Sequence, residues 1–392
     1  MIFEDRATFA PALPNGALPP LADHAAVPAP GARLSLLAPA SLTAADQAVW
    51  DDLGANSATP SVFAQPWFTR AGLACCAGDA DVRLAVVIED GGNWLGVVPV
   101  IARARYGKAP FPHWALWSHP NQFRGTPLVQ QGHEARFWRA LLDGLGRAGR
   151  GRLALRLTGL PLDEPVVRAL VQVCADDRRG WKTDRLYDRA LLARDQLDEG
   201  EALKGSRRRR IASLERKCER ELGPLAWRVA GSKADVAAAL DRFLALESAG
   251  WKGRAGSALA SATATRDFFA AVTSAAAARG LIEVTELLAG GRLIAASVHF
   301  VAGDEGFGFK MAYDEGLGGF GPGLLLLSRL TAHFRDAGPP RVDSCCAPGQ
   351  EPIGSLWPQR LGLVDCGIAL GGPLRRRALG WLDRLERLYH RC

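Results

Sequence analysis

The chain has no apolar run approaching the roughly 18 residues needed to cross a bilayer. It also lacks any C-x-x-C pair and any G-x-S-x-G elbow. The first absence argues against a transmembrane helix. The second bears on the eight cysteines: with two adjacent pairs, Cys75-Cys76 and Cys345-Cys346, their spacing suits neither a zinc site nor a disulfide framework, and reduced thiols are expected. The third argues against a serine hydrolase. Ser297 and His299 share a strand face and Asp343 follows, but that serine lies mid-strand with no elbow to present it. The opening Met1-Ile2-Phe3-Glu4-Asp5 carries early acids and no apolar core, so no secretory signal is expected. The expected location is the cytoplasm, with peripheral contact to the inner membrane left open.

What is present is material for two cores. A chain of 392 residues exceeds one ordinary core, and 48% apolar residues is enough to fill both. The formal charge of +7 favours anionic ligands such as coenzyme A, nucleotides or polyanionic surfaces, without choosing among them. Residues 1–33 read as a flexible Pro/Ala-rich leader, with six prolines between Pro11 and Pro30.

Beyond it, Ala45 to Leu53 and Pro66 to Ala74 read as short helices. Leu84 to Glu89 and Trp94 to Ile101 form a hairpin around Gly91-Gly92-Asn93. Glu134 to Gly144 is a helix, Arg152 to Leu157 a buried strand, Glu164 to Val173 a helix and Arg185 to Leu192 a closing strand. This first half, 34–195, is α/β with an antiparallel meander, and the second, 196–372, repeats the order of elements.

In the second half, Leu281 to Leu288 and Leu293 to Val301 are strands joined at Gly290-Gly291, and Gly303-Asp304 turns into a third. Period-two alternation predicts Phe307, Phe309, Met311 and Tyr313 on one face of that strand, with Gly308, Lys310 and Ala312 on the other. Then comes Gly318-Gly319-Phe320-Gly321-Pro322-Gly323, opening into Leu324-Leu325-Leu326-Leu327. Glycines that let amides turn inward, a proline suited to a first helical position and a helix N-terminus together form an anion cradle. Gly319, Gly321, Pro322, Gly323 and Leu324 are the candidate ligands of a diphosphate.

Three segments, Glu247-Ser248-Ala249-Gly250-Trp251-Lys252-Gly253, Phe309-Lys310-Met311-Ala312-Tyr313-Asp314-Glu315 and Gly321-Pro322-Gly323-Leu324-Leu325, carry a family resemblance. They resemble the acyltransferase domain of CelD/BcsL-type proteins. These are members of the GCN5-related N-acetyltransferase (GNAT) superfamily linked to cellulose and exopolysaccharide synthesis, and related to FemAB-type aminoacyl transferases. The resemblance implies an α/β (α+β) fold of tandem GNAT-like domains, each a mixed, mainly antiparallel sheet flanked by helices. It also implies a non-catalytic first domain, to which Asn121 to Val129 is similar, and acetyl-CoA or another acyl-CoA as donor. The elbow departs from the Q/R-x-x-G-x-G/A pattern of common GNAT enzymes, which keeps an aminoacyl-tRNA donor in view.

Acyl transfer to an amine needs a neutral nucleophile, whereas a free ammonium has a pKa of roughly 10, so a base must stand nearby. On the helix from Asp235 to Ser248, the stripe Val236, Leu240, Phe243 places Glu247 where an apolar residue is expected, and Glu247 is the candidate base. Tyr313 is suited to protonate a departing thiolate, and Asp343 or Asp314 is the candidate second carboxylate. Trp251 and Lys252, which border the acceptor cleft in the resembled family, together with Lys310 and Asp314, are candidate acceptor contacts.

Two basic stretches remain. Arg207 to Arg210, with Arg216, Lys217 and Arg220, decorates an amphipathic helix whose apolar stripe is Leu203, Ile211, Leu214, Cys218 and Leu222, ended by Gly223-Pro224. Residues 373–392 form a second basic helix, suited to docking on the protein body or to peripheral membrane or cyclic-di-GMP contact. Nucleic acid is not the expected partner, and oligomeric state is not legible. The function expected is acyl-CoA-dependent N-acyl transfer to an amino sugar or precursor of a surface polysaccharide. The rivals are an aminoacyl-tRNA-dependent transferase and a non-catalytic nucleotide-responsive regulator.

Overall fold

A cap, a proline or a stripe sets most helices of this chain. The structure, a computed structural model, describes residues 31–58, 61–149, 151–194, 205–230, 233–349, 353–372 and Leu379. Most of the leader and, Leu379 apart, the basic C-terminal helix lie outside the described residues, as does Leu203 of the basic stripe. The first half runs β1 (Ala32–Leu37), α1 (Ala44–Ala55), α2 (Pro66–Cys76), β2 (Val82–Glu89), β3 (Trp94–Arg103), β4 (His113–Leu116), β5 (Leu128–Val129), α3 (Glu134–Ala148), β6 (Ala154–Pro161), α4 (Pro165–Asp176) and β7 (Trp181–Ala193). The second runs α5 (Gly205–Leu222), β8 (Leu225–Val229), α6 (Lys233–Ala249), α7 (Trp251–Arg254), α8 (Thr263–Ala278), β9 (Ile282–Ala289), β10 (Arg292–Ala302), β11 (Glu305–Tyr313), α9 (Pro322–Ala337), β12 (Arg341–Asp343), α10 (Ile353–Leu356) and β13 (Gln359–Ala369). Thr43 and Asp46 close a capping box on α1, and Pro66, Pro165 and Pro322 stand in the first turns of α2, α4 and α9.

The strands form one sheet in the order β1-β2-β3-β4-β6-β13-β7-β12-β11-β10-β9-β8, with β5 beside β3. Among the described residues, only the β4–β6 and β11–β12 pairings are parallel. The class is therefore mixed α/β with a largely antiparallel sheet. In the first half, Phe137, Trp138, Leu141, Leu142 and Leu145 of α3 recur at helical spacing and pack with α4 on the sheet. In the second, α6 and α8 cover one face and α5 and α9 the other. Helix α2 crosses between the halves, its Phe68 meeting Phe268 of α8 edge-on at 5.4 Å.

Two features of this sheet position the site. The first is a bulge in β11: Val298 pairs with Lys310 and His299 with Gly308, leaving Phe309 as an extra residue. The alternation expected from sequence therefore breaks. Phe307, Phe309 and Ala312 join the core under α6 and α8, while Met311 packs toward α9. The second is a parting of strands. β12 pairs with β11 only from Glu305 to Phe307, and beyond that point the two chains separate. Gly308 sits at the fork, where a Cβ would lie 2.4 Å from the Ser344 carbonyl oxygen. Cys345, at φ 52°, turns the departing chain through a left-handed conformation that a side chain rarely adopts.

Candidate active site

The parting of β11 from β12 leaves a wedge of about 260 Å³, lined by His299, Lys310, Met311, Tyr313, Leu327 and Cys346 among others. Its β11 edge carries backbone groups that β12 no longer pairs. At its outer end a second cavity of about 230 Å³ shares Met311, Tyr313 and Leu327 with it and reaches Gly318, Gly321, Pro322, Gly323 and Leu324. Gly321 caps α9 at φ 63°, ψ 45°, a conformation only glycine adopts freely. Pro322 has no N–H to waste at the helix start, and the amides of Gly323 and Leu324 lie in the first turn, where no intrahelical acceptor exists. Gly323 lets the Tyr313 ring close in, since a Cβ there would sit 3.2 Å from it. Gly319 is off this cradle: its carbonyl accepts from Lys217 Nζ at 3.2 Å, and Gly318 lines the cavity instead.

A third, smaller cavity of about 80 Å³ opens on the α6 side, lined by Glu247, Trp251, Lys252, Tyr313 and Glu315 among others. Glu247 is buried, as its place on the apolar stripe implies, but it is not unpartnered. Lys252 Nζ donates to Oε1 at 2.7 Å and the Leu259 amide to Oε2 at 2.8 Å, so it ties α6 to the segment that follows. Trp251 is 53% exposed and therefore no core plug. Its amide donates to Glu315 Oε1 at 2.8 Å, and Arg254 donates to Oε2 at 2.6 Å. Tyr313, 38% exposed, borders all three cavities.

Lys310 does not stand apart from apolar groups as alternation implied. Its Nζ donates to Asn121 Oδ1 at 2.6 Å and lies 5.4 Å from the Phe123 ring centre and 5.3 Å from that of Phe309. Burial, helped by the charge of Lys252 and opposed by Glu247, holds its pKa down at about 8.

Two expected carboxylates are employed elsewhere. Asp343 is buried and accepts from Arg124 Nε at 2.8 Å, from Arg189 and from the Cys345 amide at 2.9 Å. Burial would raise its pKa, but the two guanidiniums outweigh that and hold it below the usual range. Arg124 also binds Glu164 at 2.9 Å and Glu305 at 2.7 Å, so Asp343 belongs to an ion cluster between the halves, and its oxygens are engaged there. Asp314 accepts from the Gly316 amide at 2.9 Å, capping the short helix Glu315–Phe320, and pairs with Arg292. A Ser/His/Asp relay is absent from this geometry: Ser297 Oγ meets Thr285 Oγ1 at 2.6 Å, and burial pushes His299 down to about 3.

Sequence reasoning missed Gly318, Glu315 and the Arg124 cluster. Arg124 lies within the Asn121 to Val129 segment and had no local pattern of its own. Among the described residues no group of His, Cys, Asp and Glu is placed to hold a metal, and no helix is long and apolar enough to cross a membrane.

Among solved structures, the fold is similar to the C-terminal domain of a candidate lysylphosphatidylglycerol synthetase from Agrobacterium fabrum, with a TM-score of 0.52, 14% identity and coverage of 85% of this chain and 95% of that one. FemX aligns with a TM-score of 0.50 and 10% identity over 86% of this chain and 98% of its own. A tandem GNAT protein from the clavulanic acid pathway aligns with a TM-score of 0.44 and 15% identity over 87% of this chain and 99% of its own. No curated protein matches by sequence. Residues 205–352 match the acetyltransferase (GNAT) domain family. This part of the chain, which holds the cradle and most of the wedge, is similar to GNAT-type acetyltransferase domains.

Proposed function

We propose that the protein transfers an acyl group from an acyl-CoA to an amine. One observation carries the reading: segments far apart in sequence, Glu247–Lys252, Phe309–Tyr313 and Gly321–Leu324, line three cavities that share Met311, and all three meet at Tyr313. An extended, amide-bearing arm suits the unpaired edge of β11, and a diphosphate suits the amides of Gly323 and Leu324 at the start of α9. A bound acyl-CoA supplies the activated carbonyl. Trp251 and Lys252 then receive the acceptor, Glu247 orients Lys252, and Tyr313, which borders all three cavities, donates a hydrogen bond to the leaving sulfur.

The finer reading follows the CelD/BcsL resemblance: acetyl as the acyl group, and an amino sugar or a precursor of a surface polysaccharide as acceptor. Trp251, exposed at the smallest cavity, is the residue suited to stack on a sugar ring. A second reading, aminoacyl-tRNA as donor, is favoured by α5. Lys217 of that helix holds Gly319 and lies 4.7 Å from the Phe320 ring centre, so the helix bearing Arg208, Arg209 and Arg210, all exposed, runs beside the cradle.

Calorimetry with acetyl-CoA, longer acyl-CoAs, cyclic-di-GMP and tRNA in parallel decides among these. Acetyl-CoA binding in the micromolar range that Gly323→Leu abolishes is the expected result. Binding of tRNA alone, with a steep salt dependence, favours the second reading. Binding of cyclic-di-GMP alone makes the protein a regulator.

A further inference from the structure

Acceptor amines reach an enzyme as ammonium ions, and one proton must leave before the nitrogen can attack. Glu247 is poorly placed for that task, since Lys252 and the Leu259 amide already occupy both of its oxygens. Lys310 is differently situated. It lines the wedge directly, at the end of the β11 bulge, and its Nζ has an amide oxygen and two aromatic faces for company. No carboxylate lies within ion-pair distance of it among the described residues.

We propose that Lys310, as the free amine, takes the proton from the acceptor's ammonium. This inference rests on the acyl transfer proposed above. Its electrostatic surroundings are consistent from every side. From α6 and α7 come Glu247 and Lys252, which neutralise each other. The segment before β5 contributes His119, pushed down to about 4 by burial and so uncharged. His299 of β10 is uncharged as well, and burial keeps the thiols of Cys345 and Cys346 protonated. Only Glu247 favours an ammonium at Lys310, and Lys252 offsets it, so burial prevails and holds the pKa down at about 8.

The step balances as follows. The acceptor ammonium passes one proton to Lys310 and becomes a neutral amine, whose lone pair forms the C–N bond at the thioester carbonyl. The tetrahedral adduct collapses, the C–S bond breaks with its electron pair on sulfur, and the nitrogen loses its second proton to solvent. The Lys310 ammonium returns its proton to the thiolate, directly or through Tyr313. The products are an amide, a free thiol and one proton in solution.

Two measurements test this. The first needs no donor: lysines are tagged with ¹³C-methyl groups by reductive methylation, and the Lys310 signal is assigned by its loss in K310R. A titration midpoint near 8 is expected, and a midpoint at the ordinary lysine value of roughly 10.4 overturns the proposal. The second uses acetyl-CoA with two acceptors, ethanolamine, an ammonium at neutral pH, and hydroxylamine, already a free base. K310R and K310M are expected to lose about 10²-fold with ethanolamine, to stay within about threefold of wild type with hydroxylamine, and to bind acetyl-CoA normally by calorimetry. Retained ethanolamine turnover in K310R means that only a positive charge is needed, and the base role falls. If wild type fails to bind acetyl-CoA, the donor reading fails separately, and the midpoint still decides for Lys310.

Discussion

Arg124 and Lys310 each reach from one half of the sheet to the other, and they differ in what they find there. Arg124 meets Glu164, Glu305 and Asp343, three carboxylates for one guanidinium. Lys310 meets the Asn121 amide and two phenyl rings. A buried cation that is fully paired fixes the two halves against each other and has no proton to trade. One left without a counterion is easily discharged, which is a cost to stability and an asset to chemistry.

The contrast breaks first at Arg124. Arg124→Met leaves three carboxylates around an apolar group, and a loss of about 3–5 kcal/mol is expected in urea unfolding. A loss no larger than that of an exposed arginine would mean that the cluster does not hold the halves together. Gly308→Val acts at the fork: with a Cβ directed at the Ser344 carbonyl, a cost of about 1–3 kcal/mol and a clear weakening of acetyl-CoA binding are expected by calorimetry.

Glu164 sharpens the comparison through pH. Burial outweighs Arg124 and Thr126 and lifts its pKa to about 7, so between about 4.5 and 7 the folded protein binds the extra proton. Stability should therefore fall as pH rises through that window, and Glu164→Gln should flatten the slope in thermal melts recorded from pH 5 to 7.5. Lys252→Met removes the like charge that helps to hold Lys310 down, so the Lys310 midpoint should move upward in the same ¹³C titration. The smallest effect belongs to Arg208→Gln on exposed α5: stability should stay within about 0.5 kcal/mol, while the salt dependence of tRNA or acyl-CoA binding becomes shallower.

Local signals in the sequence carried most of the elements. Glycine pairs marked the β9–β10 hairpin, and Gly-Pro-Gly marked the start of α9. The stripe on α6 placed Glu247 inside, correctly, although nothing in it showed that Lys252 and the Leu259 amide would be waiting there. What stayed hidden was non-local. The bulge at Phe309 depends on the partner strand β10, and strict alternation along β11 therefore put Met311 and Lys310 on the wrong sides. Asp343 looked like a free strand carboxylate because its partners, Arg124 and Arg189, are 219 and 154 residues away in sequence.

β13, within the expected second domain, does not stay with its neighbours in the chain; it enters the first-half sheet between β6 and β7. During synthesis, a ribosome adding roughly 5–20 residues per second leaves that slot open for ~10–30 s after β7 has emerged. Two exposed strand edges on a nascent chain invite strand exchange between copies, so the yield of correctly folded protein in a cell should depend on chaperone supply more than the stability of the finished fold would suggest.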